Sequence, residues 1–372
     1  MKITIIIPTY KEQANISSTI DGLEAEFQKI PVGHQLEILV IDDNSPDETQ
    51  AIVRQKAKKY PNVILLPNPQ KNGLGAAYIK AFKYAFAKLN SDVIFEFDAD
   101  GSHQPKYIPA MVKVLEDGAD VVVGSRYIPG GSMPADWGIH RKLISYLGNL
   151  LARSVLWTWQ YQDMTSGFRG TKTKFLKQID LDHLLSNQFA YKIHLYYALH
   201  RLKAKIVEYP IDFIDRSQGK SKFPKNNIID SLRVIFTLRL KESRKLIQVM
   251  IVGAVGTVVQ LGFFNLFRLK LNLSLAQNLA IELAVVSNFI LNNLWTFKEK
   301  KFVLNRFTQL AVGFIKFNFI SLGSIVIQNL ILLGGIALLG RSFLIENMLV
   351  LLGILLGLIW NYLMYTRVVW KK

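Results

Sequence analysis

Two aspartates stand one residue apart at the end of an apolar run: Val93-Ile94-Phe95-Glu96-Phe97 leads straight into Asp98-Ala99-Asp100-Gly101-Ser102. The run has strand length, and the glycine lets the chain turn sharply after it. At the carboxyl end of a parallel strand such a pair faces the crevice where open α/β sheets take ligands. Hard carboxylate oxygens there suit Mg²⁺ or Mn²⁺, an ion that commonly shares its shell with a substrate's phosphates. The same residues also read as a strand followed by a plain acidic turn, so other strand ends have to decide. One earlier run closes on Pro8-Thr9-Tyr10-Lys11-Glu12 and another on Asp42-Asp43-Asn44-Ser45-Pro46-Asp47. A carboxylate after the second strand can hold a base or ribose, and Tyr10 can pack against either. Ser45 and Asp47 read better as helix caps. Lys71-Asn72-Gly73-Leu74-Gly75-Ala76-Ala77 opens a helix with small residues. Such residues permit close backbone approach, and a helix amino end favours anions, though neither a Walker nor a dinucleotide fingerprint is present.

The elements that must position these groups alternate. Strand candidates are 3–7, 36–41, 63–66, 93–97 and 120–123; helix candidates between them are 15–29, 46–59, 75–89 and 105–116. That alternation predicts a doubly wound, mostly parallel sheet with helices on both faces over residues 1–224. The 372 residues carry a formal net charge of +17 and are 50% hydrophobic, with a mean hydropathy of +0.20. So basic a chain points to nucleic acid, anionic lipid or phosphorylated substrates. No zinc-ligand spacing or nucleic-acid motif is visible, so lipid and phosphate lead and nucleic acid is not expected. Cysteine is absent, which excludes disulfides and thiol catalysis. The apolar run at 3–7 is too short for a signal peptide, and the front of the protein is expected to stay in the cytosol.

From residue 246 to 372 the texture changes to four apolar stretches, near 246–267, 275–295, 307–331 and 343–365. Each is close to the ~20 residues that cross a bilayer as a helix. Lys241, Arg244, Lys245, Lys298, Lys300, Lys301, Arg306, Arg367, Lys371 and Lys372 fall on one side of these spans, against Arg268, Lys270 and Arg341 on the other. The positive-inside rule then predicts an integral membrane protein with both termini and the α/β domain in the cytosol, and Trp295, Phe297 and Trp370 in the aromatic belt. Sparse matches suggest two repeated hairpins: Gln248 with Gln309, and Asn288-Phe289 with Asn361-Tyr362, followed by Phe297 and Trp370 at equal spacing. Glu282 and Lys316 fall within spans and read either as an internal pair or as snorkelling side chains. Two basic amphipathic segments, 142–160 and 225–245, suit the headgroup region; the first reads equally well as a core-facing helix.

Taken together, the cytosolic motifs resemble the family-2 glycosyltransferases and, more narrowly, the polyprenyl-phosphate (dolichyl-phosphate) mannose synthases. The resemblance runs through Pro8-Thr9-Tyr10 with Glu12, the Asp42 to Asp47 stretch, Gly73-Leu74-Gly75-Ala76-Ala77-Tyr78, and Asp98-Ala99-Asp100 with Ser102-His103 and Pro105. It continues through Gly124-Ser125-Arg126-Tyr127, Arg141-Lys142-Leu143-Ile144-Ser145, Ser166-Gly167-Phe168-Arg169, and Asp215-Arg216 with Gly219, Ser221 and Lys222. The four-span tail is similar to the small membrane domain fused to some members and linked to lipid-sugar translocation. The resemblance implies a glycosyltransferase-A fold, a GDP-mannose donor, Mg²⁺ or Mn²⁺, and a polyprenyl monophosphate acceptor in the lipid bilayer, and it leaves room for a homo-oligomer through the membrane domain. Carried over by motif, Pro8, Tyr10, Glu12, Val40, Asp42 and Ala99 contact the donor nucleotide. Asp98, Asp100 and Ser102 hold metal and diphosphate, with Ser102 preferred to the adjacent His103. Arg126, Arg141 and Ser145 bind the acceptor phosphate, and Arg216 and Lys222 close over the donor phosphates. Two places depart from the pattern: Lys11 replaces a common asparagine beside Glu12, and in 188–194 His194 stands where a glutamate is usual. A UDP-sugar-dependent glucosyl or aminosugar transferase with the same lipid acceptor is the alternative enzyme, and a binding or translocation protein the non-enzymatic one.

Overall fold

The computed structural model describes residues 1–215, 225–302 and 307–371, and the chain divides into two compact units, Met1–Arg239 and Leu240–Lys372. In the first unit, strands β1 (Lys2–Thr9), β2 (Gln35–Asp42), β3 (Val63–Pro67), β4 (Val93–Glu96), β5 (Val121–Ser125), β6 (Arg169–Lys172) and β7 (Ile206–Pro210) form one sheet in the order β3-β2-β1-β4-β6-β5-β7. All neighbours are parallel except β6, which runs antiparallel to β4 and β5. Helices α1 (Ile16–Phe27), α2 (Thr49–Lys59), α3 (Leu74–Tyr84), α4 (Ile108–Glu116), α5 (Ile139–Leu156), α6 (Thr173–Leu176) and α7 (Tyr191–Arg201) connect them.

Both faces of the sheet are covered, which explains the near-continuous apolar strands. In β1, Ile6 enters one core with Leu39, Tyr78, Phe82 and Tyr191, while Ile3, Ile5 and Ile7 enter the other with Ile20, Leu23, Phe95 and Met111. Five strands and the first helices lie where the apolar periodicity expects them. β6, β7 and α7 were not among the expected elements. β6 reads Arg-Gly-Thr-Lys, with no apolar side chain. Its glycine is a packing requirement, because a Cβ at Gly170 would lie 2.5 Å from the Phe95 ring of the paired strand.

Four long apolar helices follow: α8 (Lys225–Phe267), α9 (Leu273–Leu291), α10 (Phe307–Leu339) and α11 (Phe343–Met364). Each contains a stretch long and apolar enough to cross a membrane. The 225–245 segment, expected as a separate amphipathic helix, is the first part of α8 and continuous with the first apolar stretch. Within it Val234, Ile235 and Leu238 pack into the first unit's core, whereas Ile229 and Phe236 are exposed. Both α9 and α11 run into a five-residue π turn, Asn292–Thr296 and Tyr365–Val369, and each turn ends in an aromatic residue. Those residues, Phe297 and Trp370, are buried and stacked 4.4 Å apart, so they form an aromatic core; only Trp295 of the expected belt is exposed. Glu282 and Lys316 both lie exposed on their helices, and among the described residues no ion pair joins them.

Candidate active site

β1, β2 and β4 present their carboxyl ends side by side, at the point where the chain order reverses from β1 to β4. Gly101, at φ +83°, turns the chain directly after the paired aspartates, so both carboxylates stay at the strand end. Asp100 Oδ1 accepts from the Ser102 amide (3.1 Å) and hydroxyl (2.6 Å). Ser102, expected to hold metal with the two aspartates, thus sits directly against Asp100 and orients its carboxylate. Asp98 is held by other means. Its backbone N–H donates to His103 Nδ1 at 2.9 Å, which leaves the proton of a neutral ring on Nε2, 3.6 Å from Asp98 Oδ2. Burial pushes the His103 imidazole below its ordinary pKa, so it sits as a neutral buttress beside Asp98. The Tyr78 hydroxyl lies 3.3 Å from Asp98 Oδ1, and burial raises that phenol well above its usual range.

Under the carboxylates, β4 ends in Glu96, whose side chain is fully enclosed and accepts from Arg169 Nε at 2.6 Å and from the Tyr191 hydroxyl at 2.5 Å. Breaking such a buried pair from one side costs about 3–5 kcal/mol, because the survivor keeps a charge without compensation.

The residues expected to meet the donor divide into two groups. Tyr10 is partly exposed beside the strand ends, with the Lys71 ammonium 3.3 Å from its ring centroid. Glu12 accepts from Asn15 Nδ2 at 2.9 Å. Pro8 lies one residue before the end of β1, paired with Ile41. Asp42, by contrast, is buried and accepts from the Thr9 hydroxyl, the Ser45 amide and hydroxyl, and Gln50 Nε2, at 2.6 to 2.8 Å. It ties the β2–α2 loop together. Val40 points into the core, and Ala99 is buried with its carbonyl on the Thr19 hydroxyl. The amino end of α3 is also covered, since the amides of Gly75 and Ala76 donate to the Asn187 carbonyl. An anion at that end, as the small residues suggested, would have to displace this carbonyl.

The arginines stand on the β5 side. Arg126, directly after β5, forms a fork with Asp163, Nε–Oδ2 2.8 Å and Nη2–Oδ1 2.8 Å, and also donates to the Thr165 hydroxyl. Asp163 is itself fixed from behind: Glu208 of β7 accepts the amides of Gln162 and Asp163 at 2.7 Å each. Burial alone would raise the Asp163 carboxyl, yet the Arg126 charge and hydrogen bonds outweigh it and hold it low. Arg141, in the first turn of α5, reaches Asp215 with both Nη atoms (2.8 and 3.2 Å) and packs 3.8 Å over the Trp137 ring. Ser145 shares a 2.7 Å hydrogen bond with the Tyr127 hydroxyl. Arg216 and Lys222, expected to close over the donor, lie outside the described residues, as do Gly219, Ser221, Arg306 and Lys372.

One aromatic residue joins the carboxylate floor to this arginine wall. Phe213 packs 6.1 Å from the His103 ring, 5.4 Å from the Arg126 guanidinium and 5.9 Å from the Trp137 ring under Arg141. Neither Phe213 nor Asp163 was expected at the site; an aspartate or aromatic residue in an unpatterned loop gives no periodic signal. Lys192 was also missed. It lies in the first turn of α7, buried, with Nζ 3.6 Å from Asp98 Oδ2.

Among the described residues no cluster of three or more His, Asp or Glu side chains could cage a metal by itself. Two carboxylates at a strand end nevertheless fit Mg²⁺ or Mn²⁺ well, because such ions are commonly held by one or two carboxylates plus substrate phosphate oxygens and water. The donor set is all oxygen, as these hard ions require.

Residues 4–180 match the glycosyl transferase family 2, and residues 249–370 match the GtrA/DPMS transmembrane domain. The chain is 32% identical to a dolichol-phosphate mannosyltransferase of Pyrococcus furiosus, over 100% of this chain and 99% of that protein. It is 37% identical to an undecaprenyl-phosphate mannosyltransferase of Micrococcus luteus, covering 60% of this chain and 87% of the relative. A polyprenol monophosphomannose synthase of Mycolicibacterium smegmatis is 34% identical, with 61% and 83% covered.

Proposed function

This chain is a glycosyltransferase of the polyprenyl-phosphate mannosyltransferase family with a carboxyl-terminal GtrA/DPMS transmembrane domain, and from that premise we propose that it moves mannose from GDP-mannose to a polyprenyl monophosphate at the cytosolic membrane face, with inversion. The observation that carries this reading is Phe213, which packs on the His103 ring beside Asp98, on the Arg126 guanidinium and on the Trp137 ring under Arg141, and so joins the carboxylate end and the arginine end of the site in one neighbourhood.

The chemistry asks little of acid–base groups. A phosphate monoester loses its second proton near pH 6, so its oxygen is already a nucleophile. The obstacle is repulsion between an anionic acceptor and an anionic diphosphate. Arg126 and Arg141 carry fork-shaped donors that match phosphate oxygens and offset that repulsion. The acceptor oxygen attacks the anomeric carbon opposite the leaving GDP; the new C–O bond forms as the old one breaks, and the bonding pair departs on the β-phosphate oxygen. One displacement converts an α-linked donor to a β-linked product. Asp98 and Asp100 would hold the divalent ion, which when bound supplies positive charge to the departing diphosphate. Tyr10 and Glu12 lie where the nucleoside would sit.

Two features support the membrane face. Ile139, Leu143, Ile144 and Leu147 of α5 are exposed among Arg141 and Lys142, so this helix presents apolar and basic groups together. The basic excess at 241–245 and 298–301 favours this orientation by the positive-inside rule.

The test is transfer by the purified full chain from radiolabelled GDP-mannose to a short polyprenyl phosphate, with UDP-glucose and UDP-linked aminosugars as competing donors. A β-mannosyl phosphate product is expected. Transfer from a UDP-sugar alone would replace this reading. Single cysteines introduced into this cysteine-free chain at 245 and 340 would fix orientation in sealed vesicles, with only the second reached from the outside.

A further inference from the structure

We infer that Lys192 is a positioning residue that makes metal and donor bind together, an inference that rests on the metal reading above. Lys192 is 1% exposed, and its ammonium lies 3.6 Å from Asp98 Oδ2 and 4.9 Å from the Phe189 ring centroid. Room for it is made deliberately: a Cβ at Gly167 would fall 1.9 Å from Lys192 Nζ. His103 Nε2 meets the same carboxylate oxygen from another side, at 3.6 Å. The aspartate closest to the end of β4 therefore carries a resident cation.

Its effect on a divalent ion follows from charge. Without donor, the ammonium already compensates one of the two carboxylates, so an incoming dication meets a site of reduced negative charge and a like-charged neighbour. An arriving nucleoside diphosphate restores negative charge on the open side of the pair. Ion and diphosphate should then each raise the affinity of the other, as linkage requires. Lys192 is the element that keeps the bare site from holding the ion tightly and, in exchange, gives the ion a reason to arrive with its donor. A neutral residue of similar length at 192 would remove that ammonium from Asp98 and leave a tighter, less discriminating metal site.

Free Mn²⁺ measured by electron paramagnetic resonance on the full chain in detergent tests this, with and without GDP, after subtracting the Mn²⁺–GDP complex formed in the absence of protein. For the natural chain, GDP should tighten Mn²⁺ binding about ten-fold or more. Lys192→Met should tighten Mn²⁺ binding without GDP by a similar factor and shrink the GDP effect; Lys192→Arg should restore both. Unchanged or weaker Mn²⁺ binding by folded Lys192→Met, with the GDP effect intact, would overturn the inference. Should Lys192→Met fail to fold, Gly167→Ala, which displaces the ammonium, is expected to act in the same direction, and no shift there would be equally damaging. Asp98→Asn separates the two levels. Loss of Mn²⁺ binding in that variant keeps the metal reading standing whatever Lys192 does, and Mn²⁺ binding unaffected by it sinks the metal reading itself.

Discussion

Arg126 and Arg141 each face an aspartate through a two-pronged contact, yet the two pairs sit in different surroundings. The Arg126 side chain is 10% exposed and its partner Asp163 is 0% exposed. The Arg141 side chain is 36% exposed, and Asp215 28%. Burial decides what such a pair can do. In the interior the charges have no alternative partner, and separating them costs several kcal/mol. At the rim, water competes for both, and the pair is worth about 0–1 kcal/mol. An incoming phosphate can therefore take Arg141 from Asp215 at little cost, while Arg126 keeps Asp163 and offers only what its fork leaves over. One arginine is a fixed wall and the other an exchangeable hand.

The largest expected effect lies at the aspartate pair. Asp100→Ala should lower transfer to polyprenyl phosphate by about 10³-fold or more, since it removes charge stabilisation at the departing diphosphate. Chelation should do the same to the natural chain. Activity unaltered by either would leave the arginine contrast without a donor site to serve.

Next in size is the interior pair. Asp163→Asn strands the Arg126 guanidinium and should cost about 3–5 kcal/mol of stability, read as a fall in melting temperature and in urea midpoint. The pH dependence has a definite sign. Arg126 holds the Asp163 carboxyl below its ordinary value, so its stabilisation is fully present above the unfolded pKa near 3.9 and is lost as pH falls through the lower folded value. The natural chain should show this acid limb below about pH 4, and Asp163→Asn should lack that component. Arg126→Lys is milder: charge remains but the fork is lost, and KM for polyprenyl phosphate should rise about ten-fold with GDP-mannose binding unchanged. Equal losses for both substrates would remove Arg126 from the acceptor side.

How much of this could be read from residues alone depends on what each part does. β1 to β5 were legible because both faces of the sheet are covered, so the strands are almost wholly apolar. β6 was not, because its work is done by Arg169 under Glu96 and by Gly170 clearing the Phe95 ring. Asp98 and Asp100 announced themselves by position after a strand. Asp42 did so by the same position after a strand, while its hydrogen bonds to Ser45 of its own loop had no signal in the residue types. Lys192 was invisible: a lysine in an amphipathic helix ordinarily faces water, and only the fold shows Gly167 making space for it. Charge partners separated by tens of residues, such as Arg126 with Asp163, leave no local spacing to find.

The smallest effect is the sharpest, because it repeats one chemical change at the other pair and expects the opposite sign. Asp215→Asn removes a carboxylate that competes with phosphate for Arg141. An exposed pair is worth at most about 1 kcal/mol, a factor of roughly five, so KM for polyprenyl phosphate should fall by up to about that factor. The melting temperature should hardly move, since water solvates what the aspartate leaves and the Trp137 ring still carries Arg141 at 3.8 Å. The same Asp→Asn exchange thus weakens the protein at 163 and sharpens its grip on acceptor at 215. A rise in KM at 215 together with a lowered melting temperature would mean that Asp215 positions Arg141 as firmly as Asp163 holds Arg126, and the distinction between wall and hand would collapse.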